Sequence, residues 1–311
     1  MDLLETKRIL AVQSSVCHGY VGNRSATFPL QLLGWDVDVI PTVELSNHAG
    51  YPIVKGRTLD AAHIMDLYEG VSLANPNGYD CLLTGYSRGK ECVETIFQIA
   101  KLVKAKNPNA IWVLDPVLGD NGKLYVEEAI LPLYRSMLPY ADLITPNGFE
   151  AEVLTEMPVN SLASAYDCVQ VLHEMYHIKH VVISSFLAIE GNVWKLYCFA
   201  SSIGSKPFYV KIPFIEGFFC GTGDLLTALL AAHIASNEFK EDSDSFKRAI
   251  EVSLSSVHEV VQRTASRVES LNVKEYHPAY SELSIVKSQH SILSPSFPLF
   301  GVYFDRSQNA V

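Results

Sequence analysis

The sequence predicts an α/β fold of three layers, a mostly parallel central sheet with helices on both faces. Short apolar runs recur along the chain and end in small or polar residues, the pattern of buried parallel strands that open into loops. Longer stretches with helical patterning separate them, and this alternation builds a sheet covered on both sides. With 311 residues, 48% of them hydrophobic and 19% charged, the chain is expected to form one domain over residues 1–311. Its linkers are too short to separate two units, and it holds no internal repeat or low-complexity segment.

The elements follow in order. Residues 8–13 read as a first buried strand closed by Ser14 and Ser15, then a helix over 26–33 and a second strand over 37–43. The loop 46–51 mixes small, polar and aromatic residues that suit a pocket for a flat ring; a lone His48 there is given no role. A helix over 59–67, a strand over 81–86 ending in Gly85-Tyr86, a helix over 93–103 and a strand over 111–116 closed by Asp115-Pro116 come next. Leu143-Ile144-Thr145-Pro146-Asn147 is a strand and polar turn before a helix over 149–154, which Thr145 would cap and Pro146 start. After a strand over 180–185, the runs 193–200 and 208–213 lack an intervening helix and are expected to be antiparallel. Helices over 225–234 and 246–268 follow, the second behind the acidic linker Glu241-Asp242-Ser243-Asp244. A short helix after Ala279 and an edge strand over 299–304 end the chain.

The stretch Gly221-Thr222-Gly223-Asp224 stands before an apolar helix. Its glycines let the backbone turn tightly and aim successive N–H groups into one concavity, where the helix dipole favours an anion. A carboxylate beside an anion hole fits a catalytic base, although the same residues also suit an ordinary acidic first turn. Asp115, Asp120, Glu150 and Asp224 all lie at turns on one sheet edge. Mg²⁺ held by a few carboxylates and by phosphate oxygens explains such a cluster; helix caps and surface charges are the plainer reading.

The P-loop, protein-kinase and Gly-x-Ser-x-Gly motifs are absent, which leaves phosphoryl transfer through a helix-start anion hole and an Asp base. A net charge of −10 without a basic cluster argues against nucleic acid and against a membrane surface. The charged start Met1 to Arg8 does not suit a signal peptide, so the cytoplasm is expected, with the nucleus also open to the protein. The scattered Cys17, Cys81, Cys92, Cys168, Cys198 and Cys220 read as reduced thiols rather than disulfides or metal ligands.

Gly221-Thr222-Gly223-Asp224 with its helix resembles the ribokinase-like superfamily of small-molecule kinases. Gln13-Ser14, His18 to Asn23, Ala26 to Gln31, Ser46-Asn47-His48, Leu83 to Tyr86, Asp115 to Asp120 and Ile144 to Asn147 narrow the resemblance to the eukaryotic-type pyridoxal kinases. It implies a ribokinase-like fold, a homodimer, and ATP-dependent phosphorylation of the 5′-hydroxymethyl group of pyridoxal, pyridoxine and pyridoxamine. Asp224 would be the base and the Gly221 to Gly223 amides the anion hole. Ser14 would bond the vitamin ring, with Val21, Val43, Tyr86 and position 49 around it. Asp120 would face Mg²⁺, while Asp115, Thr145 and Glu150 would form a site for K⁺ or Na⁺. Tyr125, Asn147, Glu150, Ser184, Ser185, Ile215, Glu216, Gly217 and Thr222 would contact ATP.

Two departures stand out. Ala49 replaces a threonine frequent in the family, and Asn121-Gly122-Lys123 is shorter than the loop of some relatives that lies over the phosphates. A hydroxymethylpyrimidine or sugar kinase, or a vitamin- or nucleotide-binding protein without turnover, are the alternatives. The apolar Val21, Val43 and Tyr86 favour a flat ring over a polyol.

Overall fold

Strands form where β-branched and other apolar residues run on without polar interruption. In the computed structural model the chain begins β1 (Arg8–Val16), α1 (Asn23–Leu32), β2 (Asp36–Leu45), β3 (Gly56–Thr58), α2 (Ala61–Ala74), β4 (Cys81–Thr84) and α3 (Lys90–Lys106). Then come β5 (Ile111–Leu114), β6 (Gly119–Asp120), β7 (Lys123–Leu124), α4 (Leu131–Met137), β8 (Leu143–Ile144), α5 (Gly148–Thr155) and α6 (Leu162–Tyr176). The rest is β9 (His180–Glu190), β10 (Val193–Ser202), β11 (Phe208–Ile212), α7 (Thr222–Ile234), α8 (Ser243–Ser270), α9 (Gln289–Leu293) and β12 (Gly301–Tyr303). The structure describes residues 6–236, 238–240, 242–271 and 277–307. Residues 1–5 of the charged start and Glu241 of the acidic linker lie outside them.

The sheet has ten strands in the order β12-β11-β10-β9-β8-β5-β4-β1-β2-β3. From β2 to β9 all neighbours are parallel. Antiparallel β3 closes one edge, and the antiparallel β10, β11 and β12 form the other, as expected for the runs after residue 193. Successive residues of one strand serve opposite layers. Leu10 and Val12 pack with residues of α2 to α6, whereas Ile9 packs with residues of α1, α7 and α8. Trp112 sends its ring into the first layer and satisfies its indole N–H on Thr84 Oγ1 at 2.9 Å.

Several boundaries move for local reasons. The first helix begins at Asn23, because Gly22 at φ 53° turns the chain directly into it. The helix expected from Leu59 starts after Asp60, whose side chain accepts the His63 N–H, and runs on to Ala74. Thr145 and Pro146 neither cap nor start α5. Asn147 is the cap and forms a reciprocal capping box with Glu150. The last helix before the C-terminal tail starts at Ser243 with Asp242 as its cap, so this acidic stretch opens the helix rather than linking to it. The sequence reading omitted β3, α4, α6 and the β6–β7 hairpin; the expected edge strand is β12. All six cysteines are free.

Candidate active site

The strand order reverses at β1, which has β2 on one side and β4 on the other, the point at which open α/β sheets take their ligands. Asn23 secures the end of β1 by donating to the Gln13 carbonyl at 2.8 Å and to Ser15 Oγ at 3.1 Å. Gly22 packs so tightly against Ser14 that a Cβ there would lie 2.2 Å from the Ser14 carbonyl oxygen and 2.3 Å from its Oγ. The Gly22 N–H in turn donates to the Asp224 carboxylate. Gly221, at φ 82°, approaches the Tyr20 carbonyl, where a Cβ would stand at 1.8 Å, and its own carbonyl accepts the Ser25 hydroxyl at 3.0 Å. Ser14, Val21, Gly221 and Asp224 are thereby assembled from opposite ends of the sequence. Thr42, next to the buried Val43 on β2, donates to the Tyr86 carbonyl at 2.7 Å. Ala49 lies exposed in the turn after β2.

No side chain caps the start of α7, where Gly221 occupies the cap position in the left-handed region. The first N–H groups of that helix are therefore available to an anion. The Cβ direction of Gly223 opens into free space. Burial pushes the Asp224 pKa up, and the Gly22 N–H pulls in the other direction. A carboxylate so placed is a stronger base than an ordinary aspartate.

The acidic residues converge as expected. Asp115 has a pKa well above the usual range because it is buried and feels the charges of Glu150 and Asp224, with the Thr227 hydroxyl offsetting part of this. Thr227 Oγ1 donates to Asp115 Oδ2 at 3.2 Å and lies 3.0 Å from Thr145 Oγ1, so Thr145 joins the same buried group. Burial also raises Glu150, to about 8, against the backbone N–H groups that it accepts. Its Oε1 takes Leu118 N–H at 2.9 Å and Gly119 N–H at 3.3 Å, and its Oε2 takes Asn147 N–H at 2.8 Å. Asn147 adds a bond from Nδ2 to the Gly119 carbonyl at 2.8 Å. Glu150 and Asn147 therefore hold in place the hairpin that presents the exposed Asp120. The hairpin turns through Asn121 at φ 49° and Gly122 at φ 75°, the Asn-Gly pair that suits a tight two-residue turn.

Among the described residues, no three of His, Cys, Asp and Glu form a ready cage for a metal ion. Carboxylates without a cage fit Mg²⁺, which takes one or two from the protein and the rest from phosphate and water.

The expected ATP-contacting residues border this group. Tyr125 is half exposed beyond the hairpin, its N–H bonded to the Leu118 carbonyl at 2.8 Å; burial first, then the Asp120 and Glu150 charges, raise its pKa. Ser184 N–H donates to the Pro146 carbonyl at 2.8 Å, and Ser185 lies against Gly148 at the start of α5. Ile215, Glu216 and Gly217 form the open loop leading into α7, of which Thr222 is the first residue. Thr227 and Glu282 were missed by the sequence reading. A threonine four residues after Gly223 at helical spacing was the available signal for the first; the second had none.

A family model described as phosphomethylpyrimidine kinase matches residues 84–272. A putative pyridoxal kinase of Schizosaccharomyces pombe is 64% identical over 305 residues, covering 96% of this chain and 99% of that protein. The chain belongs to the pyridoxal kinase family. Human pyridoxal kinase is 37% identical over 307 residues, covering 94% of this chain and 96% of its own. Pyridoxal kinase from Leishmania donovani in complex with ADP and pyridoxamine has a TM-score of 0.85 at 32% identity, over 96% of this chain and 100% of that one. The same enzyme with ADP and pyridoxine gives 0.86 at 32% identity over 97% and 100%. The ribokinase-like, mostly parallel sheet expected of pyridoxal kinases is the fold found.

Proposed function

We propose that the protein transfers the γ-phosphoryl group of ATP to the 5′-hydroxymethyl oxygen of pyridoxal, pyridoxine and pyridoxamine. The single observation that carries this reading is the junction of Ser14, Gly22, Gly221 and Asp224: a hydroxyl at the end of β1, a base and an uncapped helix start within one set of contacts. Asp224 accepts the hydroxyl proton as the oxygen attacks. The Gly221 to Gly223 amides bond the phosphoryl oxygens as charge moves toward the leaving ADP. Ser14 bonds the ring, and Val21, Val43 and Tyr86 cover its faces.

Asp120, the exposed carboxylate on the hairpin, would hold Mg²⁺, which would supply charge neutralisation at the phosphates. A monovalent cation, K⁺ or Na⁺, at Asp115, Thr145 and Glu150 would compensate the burial and the neighbouring negative charge that raise the pKa values of the two carboxyl groups. Tyr125, Asn147, Ser184, Ser185, residues 215–217 and Thr222 take the nucleotide. The working form is a homodimer of single-domain chains in the cytoplasm, with access to the nucleus; the net charge of −10 supports a protein that binds neither nucleic acid nor anionic membranes.

The test offers the full chain MgATP with each of pyridoxal, pyridoxine, pyridoxamine and hydroxymethylpyrimidine, and follows the phosphorylated product. Turnover of the B6 vitamers supports the reading. Turnover of the pyrimidine alone, or tight binding without product, overturns it.

A further inference from the structure

Glu282 belongs to the segment after α8, far in sequence from the residues assembled above, yet it is only 5% exposed. Its Oε2 accepts the Tyr20 N–H at 2.7 Å and its Oε1 accepts the Tyr51 hydroxyl at 3.0 Å. His48 Nε2 lies 3.3 Å from the same Oε1. Since His48 Nδ1 accepts the Gly50 N–H at 3.0 Å, the ring proton is assigned to Nε2, facing the carboxylate. Gly19 lets the carboxylate come this close: at φ 90°, a Cβ there would lie 2.1 Å from Oε1. The Glu282 backbone bridges to Cys220, the residue before the anion hole. Arg267, near the end of α8, fixes the segment by donating to the Glu282 carbonyl at 2.7 Å and to the Tyr280 carbonyl at 3.0 Å. Burial opposes the charge on Glu282, but the donors from His48, Tyr20 and Tyr51 outweigh it and hold the pKa below the usual glutamate value.

We infer that Glu282 is a positioning residue for the vitamer pocket, tying the loop that carries Val21 to the loop that carries Ala49 and locking both against the entry to the Gly221 anion hole. The inference rests on the vitamer kinase reading given above. An apolar side chain would hold the segment by packing, but a charged one that accepts bonds from both loops sets their separation. The separation of those loops is what a flat ring between them would sense. Tyr125, Asn147, Ser184 and Ser185, assigned above to the nucleotide, lie around the hairpin and α5 rather than on these two loops, so loss of the tie is expected to weaken vitamer binding far more than ATP binding.

Steady-state kinetics of the full chain, with thermal unfolding in parallel, tests this. Wild-type activity toward pyridoxal comes first, and its absence strikes the kinase reading rather than this one. Glu282→Gln places an amide donor among donors and is expected to raise the KM for pyridoxal at least ~10-fold, with the KM for ATP within about twofold. Tyr51→Phe removes one hydroxyl and is expected to raise the pyridoxal KM roughly fivefold, and the double variant to rise no further than Glu282→Gln alone. If Glu282→Gln does not fold, the selective effect of Tyr51→Phe decides. An unchanged pyridoxal KM, additive effects in the double variant, or a parallel rise in both KM values with a lowered melting temperature overturns the inference.

Discussion

Thr227 on α7 donates its hydroxyl to Asp115 at the end of β5 over 3.2 Å, joining two residues 112 positions apart inside the fold. Its oxygen also lies 3.0 Å from Thr145 Oγ1, so a helix and two strand ends meet through hydroxyl groups at a buried carboxyl group. Thr227→Val keeps the shape and removes the donor. Leaving a buried acceptor short costs ~1–3 kcal/mol, and urea unfolding at pH 7 is expected to show that loss with an unchanged m value. A change below about 0.5 kcal/mol would mean that Asp115 finds another partner.

Glu150 gives the fold a pH dependence of definite sign. Its pKa is raised from 4.5 to about 8, so the folded state holds the proton more tightly than the unfolded chain. Its stabilising contribution is complete below the unfolded value and is lost as pH rises towards the folded one. His173, His233 and His258, whose pKa values burial lowers, add a slope of the opposite sign only below about their unfolded value near 6.5. Without added Mg²⁺ or K⁺, the melting temperature is expected to fall between about pH 7 and 8. Glu150→Gln, which can still complete the capping box, should make that fall shallower, leaving the part due to His48, whose pKa is raised to about 9. Parallel curves for the two proteins would contradict the assignment.

Gly221 and Gly223 fail in different ways. Gly221→Ala would drive a Cβ to 1.8 Å from the Tyr20 carbonyl at a positive φ, and is expected to lower the melting temperature as well as activity. Gly223→Ala meets no protein atom, so the fold should survive while kcat falls ~10²-fold through crowding of the phosphoryl group. Circular dichroism melts beside kcat measurements separate the cases. A Gly223→Ala enzyme of near wild-type rate would remove that glycine from the phosphoryl site.

Ala49 is exposed in its turn, so a hydroxyl there needs no rearrangement of the core. Ala49→Thr is expected to lower the KM for pyridoxal about fivefold, the worth of one neutral hydrogen bond. No change, or a higher KM, would show that the vitamer does not reach position 49.

Those features of the site that depend on neighbouring residues were readable in advance. The apolar strands ending at Ser14, Tyr86, Asp115 and Thr145 and the glycines before α7 announce themselves locally, and the structure sets the strand ends along one edge of the parallel sheet. Asn147 was harder, because its capping box competes with a plausible Thr-Pro start. α6 was passed over since its cap pairs Ser161 with Ser164 instead of the more familiar Glu or Gln. Glu282 could not be read at all. Its partners Tyr51 and Tyr20 are 231 and 262 residues away, and nothing in the adjacent sequence marks a lone acidic residue as their acceptor.

In the proposed reaction Asp224 takes the proton from the vitamer hydroxyl. Single-turnover phosphorylation of pyridoxal with MgATP, followed through product absorbance for wild type and Asp224→Asn side by side, tests it most directly. Asp224→Asn is expected to bind both ligands and to transfer at least ~10²-fold more slowly. A variant that transfers at the wild-type rate would contradict it.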